Sequence, residues 1–128
     1  MRNFCNDKLM STTPTGNLSE DLACHYLRNH GYEILDRNYR IPGGEIDIIA
    51  QEKEYLVFVE VKTRYSHDYG LPVEAMTPWK IKYLLKAARF YLQKNKWGNG
   101  PYRLDFIGID FADNSENPAV ELIRNITC

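Results

Sequence analysis

The stretch Gly44-Glu-Ile-Asp-Ile-Ile-Ala-Gln-Glu-Lys-Glu-Tyr-Leu-Val-Phe-Val-Glu-Val-Lys-Thr-Arg64 decides the fold. Two runs rich in Ile and Val, residues 45–50 and Tyr55–Arg64, flank a short polar break, the pattern of a β-hairpin. With Lys53 and Glu54 as a two-residue turn, Asp47 falls opposite Glu60, and Glu45 falls opposite Lys62. Directly opposed residues share a face of the sheet. Asp47, Glu60 and Lys62 are therefore expected to form one polar cluster. Ile46, Ile48, Val57, Val59 and Val61 are expected on the other face, packed on a core.

Upstream, residues 1–16 are polar and aperiodic, and read as a mobile tail. Asn17 precedes an apolar stripe at helical spacing, Leu18, Leu22, Ala23, Tyr26 and Leu27. Asn17 and Glu20 fit a capping box, and Gly31 is placed to end the helix. A strand follows near Glu33–Ile41, then a turn at Pro42-Gly43-Gly44. Downstream, residues 65–77 read as a loop and residues 78–96 as a second helix that begins on proline. Gly98, Gly100 and Pro101 break the chain. Tyr102–Asp110 reads as a strand, 113–118 as a turn and Ala119–Ile123 as a short edge strand. The order α-β-β-β-α-β(-β) predicts one α/β domain over 17–128, a mixed sheet with helices packed on it.

The 128 residues (14.9 kDa), 44% apolar and 26% charged, suit one globular domain. The longest apolar run, Tyr55-Leu-Val-Phe-Val59, is far short of the ~20 residues a membrane span needs. No signal-peptide core opens the sequence. These features predict a cytoplasmic protein without a membrane partner. Three cysteines, Cys5, Cys24 and Cys128, give no disulfide framework. With His25, His30 and His67 they give no zinc spacing. Cys24 reads as a small core residue.

The net charge of −1 hides an uneven distribution. Residues 1–77 carry 8 Lys/Arg and 12 Asp/Glu, and residues 105–128 carry 1 and 5. Between them, residues 78–104 carry 7 basic side chains and no acid. On the second helix Ile81, Leu84, Leu85, Ala88 and Leu92 make an apolar stripe. Lys82, Lys86, Arg89, Gln93 and Lys96 lie beside it, with Tyr83, Ala87 and Phe90 on their other flank. The helix is expected to bury both flanks and expose cations. Solvated faces usually mix both signs, so a stripe of one sign points to an anionic partner such as nucleic acid.

Two opposed carboxylates repel unless a cation or proton lies between them. Hard oxygens suit Mg²⁺, with Mn²⁺ as a substitute. An ammonium two residues from Glu60 can hold water or neutralise a phosphoryl oxygen. That is the apparatus for attack of water on a phosphodiester. Glu-x-Lys alone is weak: with 9 Glu and 8 Lys, roughly 0.5 matches arise by chance. The bland alternative is an exposed hairpin face with Glu–Lys pairs.

Gly44-Glu-Ile-Asp-Ile-Ile-Ala50 followed by Phe58-Val-Glu-Val-Lys-Thr-Arg64 resembles the YraN family of small bacterial proteins. Glu20 with Ala23 and Leu27, Asn38-Tyr-Arg40, Gly70-Leu-Pro-Val-Glu-Ala75 and Arg103-Leu-Asp105 match as well, so the resemblance covers about residues 16–110. That family is similar to archaeal Holliday junction resolvases of the restriction-endonuclease-like PD-(D/E)XK superfamily. The resemblance implies a central mixed sheet flanked by helices, and a cluster of Glu20, Asp47, Glu60 and Lys62. Ile46, not proline, precedes Asp47, so the literal superfamily motif is absent. The acidic bulk of the chain is also unlike a strongly basic resolvase.

The resulting expectation is a Mg²⁺-dependent nuclease acting on DNA, branched or structured DNA included. Asp47 and Glu60 would hold the metal, with the Val61 carbonyl added by resemblance. Lys62 would position water and stabilise the transition state. Glu20 would bind metal through water, orient the nucleophile, or serve only as the capping-box acid. Lys82, Lys86, Arg89 and Lys96 would neutralise phosphates, with Arg40 and Arg64 as weaker candidates. Trp79 is expected to be buried at the helix start rather than to stack on a base. A two-fold symmetric junction would call for a homodimer. The rivals are a non-catalytic nucleic-acid-binding or adaptor protein that keeps the fold, and a protein-interaction domain whose hairpin acids are plain surface charge.

Overall fold

A computed structural model describes residues 18–68 and 70–127. The expected tail, the Asn17 cap, Cys5 and Cys128 lie outside the described residues. The elements run α1 (Leu18–Asn29), β1 (Glu33–Ile41), β2 (Gly44–Glu52), β3 (Tyr55–Arg64), a 3₁₀ turn (Pro72–Ala75), α2 (Pro78–Lys94), β4 (Tyr102–Asp110) and β5 (Ala119–Ile123). The architecture is the expected mixed α/β one, with a 3₁₀ turn inside the segment read as loop. The strands form one sheet in the order β1-β2-β3-β4-β5. β3 and β4 are parallel, and every other neighbouring pair is antiparallel. Parallel neighbours need a crossover, and α2 lies within it.

Helices cover both faces of the sheet. Ala23, Cys24 and Leu27 of α1 pack on Ile48, Ala50, Val57, Val59, Ile107 and Ile109. Leu84, Ala87, Ala88 and Leu92 of α2 pack on Ile46, Ile49, Leu56, Phe58 and Leu104. A strand buried on two faces needs no polar alternation, which is why residues 55–59 read as an unbroken apolar run. Cys24 is buried in the α1 layer, and burial pushes its thiol up to about 11. No helix among the described residues is long and apolar enough to cross a membrane.

The helix ends follow local chemistry. Gly31 takes φ +91 after α1, and the Tyr32 N–H donates to the Leu27 carbonyl at 3.0 Å. This is the left-handed C-terminal cap that glycine favours. At the start of α2, Thr77 Oγ1 accepts from the Lys80 N–H at 3.2 Å, and Pro78 fills the first turn. The helix stops at Lys94, two residues before the expected end. Lys96 itself takes the left-handed conformation (φ +56), and the Trp97 N–H closes on the Leu92 carbonyl at 3.0 Å. A lysine in this cap carries no sequence signal, since Gly98 is the first residue built for it.

The β2–β3 ladder has the expected register, from Glu52 opposite Tyr55 to Ile48 opposite Val59. Lys53 (φ +55) and Glu54 make its two-residue turn. Two expectations fail here: the opposition of Asp47 to Glu60 and of Glu45 to Lys62, which the ladder stops short of, and the face of Ile46. Ile46 does not share a face with Ile48: it packs with Ile49 beneath α2, while Ile48 lies beneath α1. The ladder ends at Ile48–Val59, and the Val61 N–H instead donates to Asp47 Oδ2 at 2.9 Å. The carboxylate takes a donor that would otherwise face the neighbouring strand, β2 parts from β3, and the alternation is lost with the pairing.

On the other side of β4, buried Asp105 accepts from the Tyr32 hydroxyl at 2.6 Å, Arg103 Nε at 2.9 Å and the Asn125 N–H at 2.9 Å. Arg103 also reaches Glu52, which Arg124 contacts at 3.3 Å. This network ties β2, β4 and the last residues to the end of α1.

Candidate active site

A cleft of about 410 Å³ opens where β2 leaves β3, walled by the first turns of α1 and α2. From α1 comes Glu20, which is buried. Its Oε2 accepts from Asn38 Nδ2 at 3.1 Å, and Arg37 Nη2 stands 3.6 Å from its Oε1. Arg37 also pairs with Asp21 at 2.8 Å, so one guanidinium fastens the start of α1 to β1. Asn38 sits in the left-handed region (φ +52). Its amide also donates to Glu45 Oε2 at 3.3 Å, bridging two carboxylates.

Asp47 comes from the point where the strands separate. One oxygen of each of Glu20, Glu45 and Asp47 lies within 4.8 Å of the others. Burial pushes the Asp47 carboxyl up to about 7; the nearby Glu60 charge adds to this, the Val61 N–H opposes it, and Glu20 and Glu45 contribute less. Glu20 is also raised, by burial first, while Asn38 and Arg37 draw it back. A carboxyl raised toward neutrality by burial among like charges is suited to proton transfer, and a cation bound there would displace its proton.

Glu60 faces two ammonium groups, Lys80 Nζ at 3.3 Å and Lys62 Nζ at 3.7 Å. Glu60 is 4% exposed, so both lysines serve an acid that water scarcely reaches. Tyr83 closes the cleft. A Cβ built on Gly44 would lie 1.7 Å from its hydroxyl oxygen, so only glycine admits the ring there. That hydroxyl is buried and has no hydrogen-bond partner among the described residues. The Trp79 ring lies parallel to Tyr83, with centroids 6.0 Å apart.

The cleft thus brings together Glu20, Asp47, Glu60, Val61 and Lys62, all expected from the sequence. The tight oxygen group differs from the expected pair. It is Glu20, Glu45 and Asp47, whereas Glu60 is held by lysines and Val61 engages Asp47 through its N–H. Hard carboxylate oxygens at this spacing fit Mg²⁺ or Mn²⁺, and a cation there would relieve the repulsion that helps to raise Asp47. Sequence reasoning missed Glu45, Asn38, Lys80 and Tyr83. Glu45 was legible, because residues two apart point to the same side of a strand.

Lys82, Lys86, Arg89 and Lys96 are all exposed, as the helix pattern predicts. Arg40 is exposed on β1, opposite Glu45. Arg64 is committed elsewhere: its Nε and Nη2 both reach Asp110 Oδ2 at 2.9 Å, and its Nη1 reaches the Gly70 carbonyl at 2.9 Å. Trp79 is the clearest correction. It is 73% exposed rather than buried, because α2 turns its first residues toward the cleft mouth and not onto the sheet. Phe90 is likewise 41% exposed, so one flank of the basic stripe is only partly covered.

Comparison with known proteins places the chain in sequence space. A model of the uncharacterised protein family UPF0102 matches residues 19–109. A UPF0102 protein of Dehalococcoides mccartyi is 45% identical over 111 residues, 87% of this chain and 90% of the relative. One from Clostridium botulinum (strain Loch Maree / Type A3) is 42% identical over 95% of both chains. One from Caldicellulosiruptor saccharolyticus is 41% identical over 91% of this chain and 98% of its own. The matched span holds the whole cleft, and the chain belongs to the uncharacterised protein family UPF0102.

Proposed function

We propose that the protein is a metal-dependent nuclease acting on cytoplasmic DNA, a member of the YraN kind within the restriction-endonuclease-like superfamily. One observation carries the reading. Asp47 is held near neutrality among Glu20, Glu45 and Glu60, in an open cleft into which Lys62 and Lys80 also reach. Asp47, with Glu20 and Glu45, would hold Mg²⁺ or Mn²⁺. A divalent cation there supplies charge neutralisation at the phosphoryl oxygen and acidifies water. Lys62 contributes a second positive charge for the transition state. Glu60 aims both ammonium groups into the cleft. Glu20, buried and fixed by Asn38 and Arg37, is a rigid acceptor that can orient the attacking water.

The test is cleavage of branched, single-stranded and duplex DNA with Mg²⁺ or Mn²⁺, with Asp47→Asn run alongside. Metal-dependent cutting that disappears in the variant supports the reading. If no DNA is cut, or if Asp47→Asn cuts equally well, the reading is wrong. If four-way junctions are the substrate, two matched cuts call for a symmetric dimer on DNA, which light scattering detects. One observation favours the second reading, a non-catalytic DNA-binding or adaptor protein: Glu60 is already neutralised by two lysines, as in a site that needs no further cation.

A further inference from the structure

The cleft continues beyond its carboxylates. Trp79 and Tyr83 wall it on one side, and their other side walls a second concavity of about 310 Å³, completed by Lys82, Lys86 and Arg89. The two rings stack 10° from parallel with centroids 6.0 Å apart, a two-layer aromatic plate whose Trp79 layer is 73% exposed. Lys80 stands over the Tyr83 ring, 5.5 Å from its centroid, and turns toward Glu60. Among the described residues, Lys82, Lys86 and Arg89 make no ion pair, so three cations stand unneutralised along one concave surface. Trp79, between an acidic cleft and a basic groove, packs on Tyr83 and leaves most of its surface to solvent.

We propose that this surface binds an unpaired DNA strand, with one base stacked on Trp79 and the phosphates beyond it on Lys82, Lys86 and Arg89, so that the strand enters the carboxylate cleft from the Trp79 side. The inference deepens the nuclease reading and rests on it for the identity of the polymer. Bases inside a duplex are stacked on one another and cannot cover the ring, whereas an unpaired base can. Cations alone bind any polyanion. The aromatic plate is what distinguishes a single strand from a duplex.

The test is binding without catalysis. A fluorescein-labelled oligothymidylate and a duplex of equal length are titrated in EDTA against the parent chain, Trp79→Ala and Trp79→Phe. Loss of one base stack should weaken oligothymidylate binding roughly 5- to 100-fold in Trp79→Ala. Duplex binding should change less than about twofold, since phosphate contacts dominate it. Trp79→Phe should keep most of the affinity and lose the quenching of intrinsic fluorescence on binding. Trp97, partly buried and hydrogen-bonded to the Pro101 carbonyl at 3.2 Å, supplies only a constant background. Equal losses on both DNAs, no loss on either, or no single-strand binding by the parent would overturn the proposal. Trp79-dependent binding without cutting leaves this inference standing and removes the catalytic reading. Metal-dependent cutting without a Trp79 effect does the reverse.

Discussion

Lys80 Nζ lies closer to Glu60 than Lys62 does, 3.3 Å against 3.7 Å, although Lys62 is the one on the same strand. Two cations on one buried carboxylate divide its stabilisation between them. Lys62→Met should therefore leave Glu60 paired and the fold intact. If Lys62 acts on the transition state, single-turnover cleavage should fall roughly 10²–10³-fold while DNA binding persists. The double variant Lys62→Met/Lys80→Met strips Glu60 of both partners. Its thermal stability should drop by more than the sum of the single changes, since neighbours in one network are not additive. Additive melting shifts would show that the lysines do not share Glu60.

Asp47 ties stability to pH. Its pKa rises from 3.8 to about 7 on folding, so the folded protein holds that proton more tightly than the unfolded chain. The stability this contributes is fully present below the unfolded value and is lost as pH rises through 7. Asp47→Asn mimics the protonated form and can still accept from the Val61 N–H. It should raise the melting temperature at pH 8 by several degrees, corresponding to about 1–3 kcal/mol, and change it little at pH 4. Mg²⁺ should stabilise the parent more at pH 8 than at pH 6, because it competes with the same proton. An equal melting shift for Asp47→Asn at both pH values would contradict the raised carboxyl.

Sequence reasoning reached the hairpin because a two-residue turn between opposed apolar runs leaves one register that buries them. That register put Asp47 near Glu60. It could not show that Asp47 would take the Val61 N–H, and with that departure from pairing Ile46 changed sides. Asn38 was illegible for a related reason. Its left-handed backbone and its bridge between Glu20 and Glu45 depend on how β1 meets α1, an arrangement set by tertiary packing. Trp79 misled because its type predicts burial, while its place in the first turn of α2, beyond the stripe that faces the sheet, sets its exposure.

The basic stripe predicts a salt dependence. Replacing Lys82, Lys86 and Arg89 together by glutamine should weaken binding to all DNA sequences alike. For each phosphate left without its cation, the log–log salt slope should flatten by about 0.9 on duplex and about 0.7 on a single strand. Arg64→Gln should not change the slope, because its guanidinium is committed to Asp110 and Gly70. It should instead loosen the β3–β4 end and lower the melting temperature. A stripe variant with the parent's slope would assign those cations to solvation.

The packing of Tyr83 on Gly44 links the hairpin to the aromatic plate. A methyl group at position 44 would meet the Tyr83 hydroxyl oxygen at 1.7 Å, so one of them must move. The ring tip is the freer partner, because Gly44 belongs to a strand paired with β1 at Ile41. Gly44→Ala should therefore push Tyr83 out of the cleft and spoil its stacking on Trp79, at a stability cost of about 1–3 kcal/mol. Tyr83→Phe should be benign by the same geometry, since it removes a buried hydroxyl that lacks a partner among the described residues. In the double variant Gly44→Ala/Tyr83→Phe the 1.7 Å clash is gone but the ring Cζ still lies 2.8 Å from the methyl, so the ring needs a smaller shift and only part of the stability should return. A melting series over the two single variants and the double measures this. If Tyr83→Phe rescues nothing, the hydroxyl is not the atom that carries the clash, and the ring carbon or the backbone of the β1–β2 turn is.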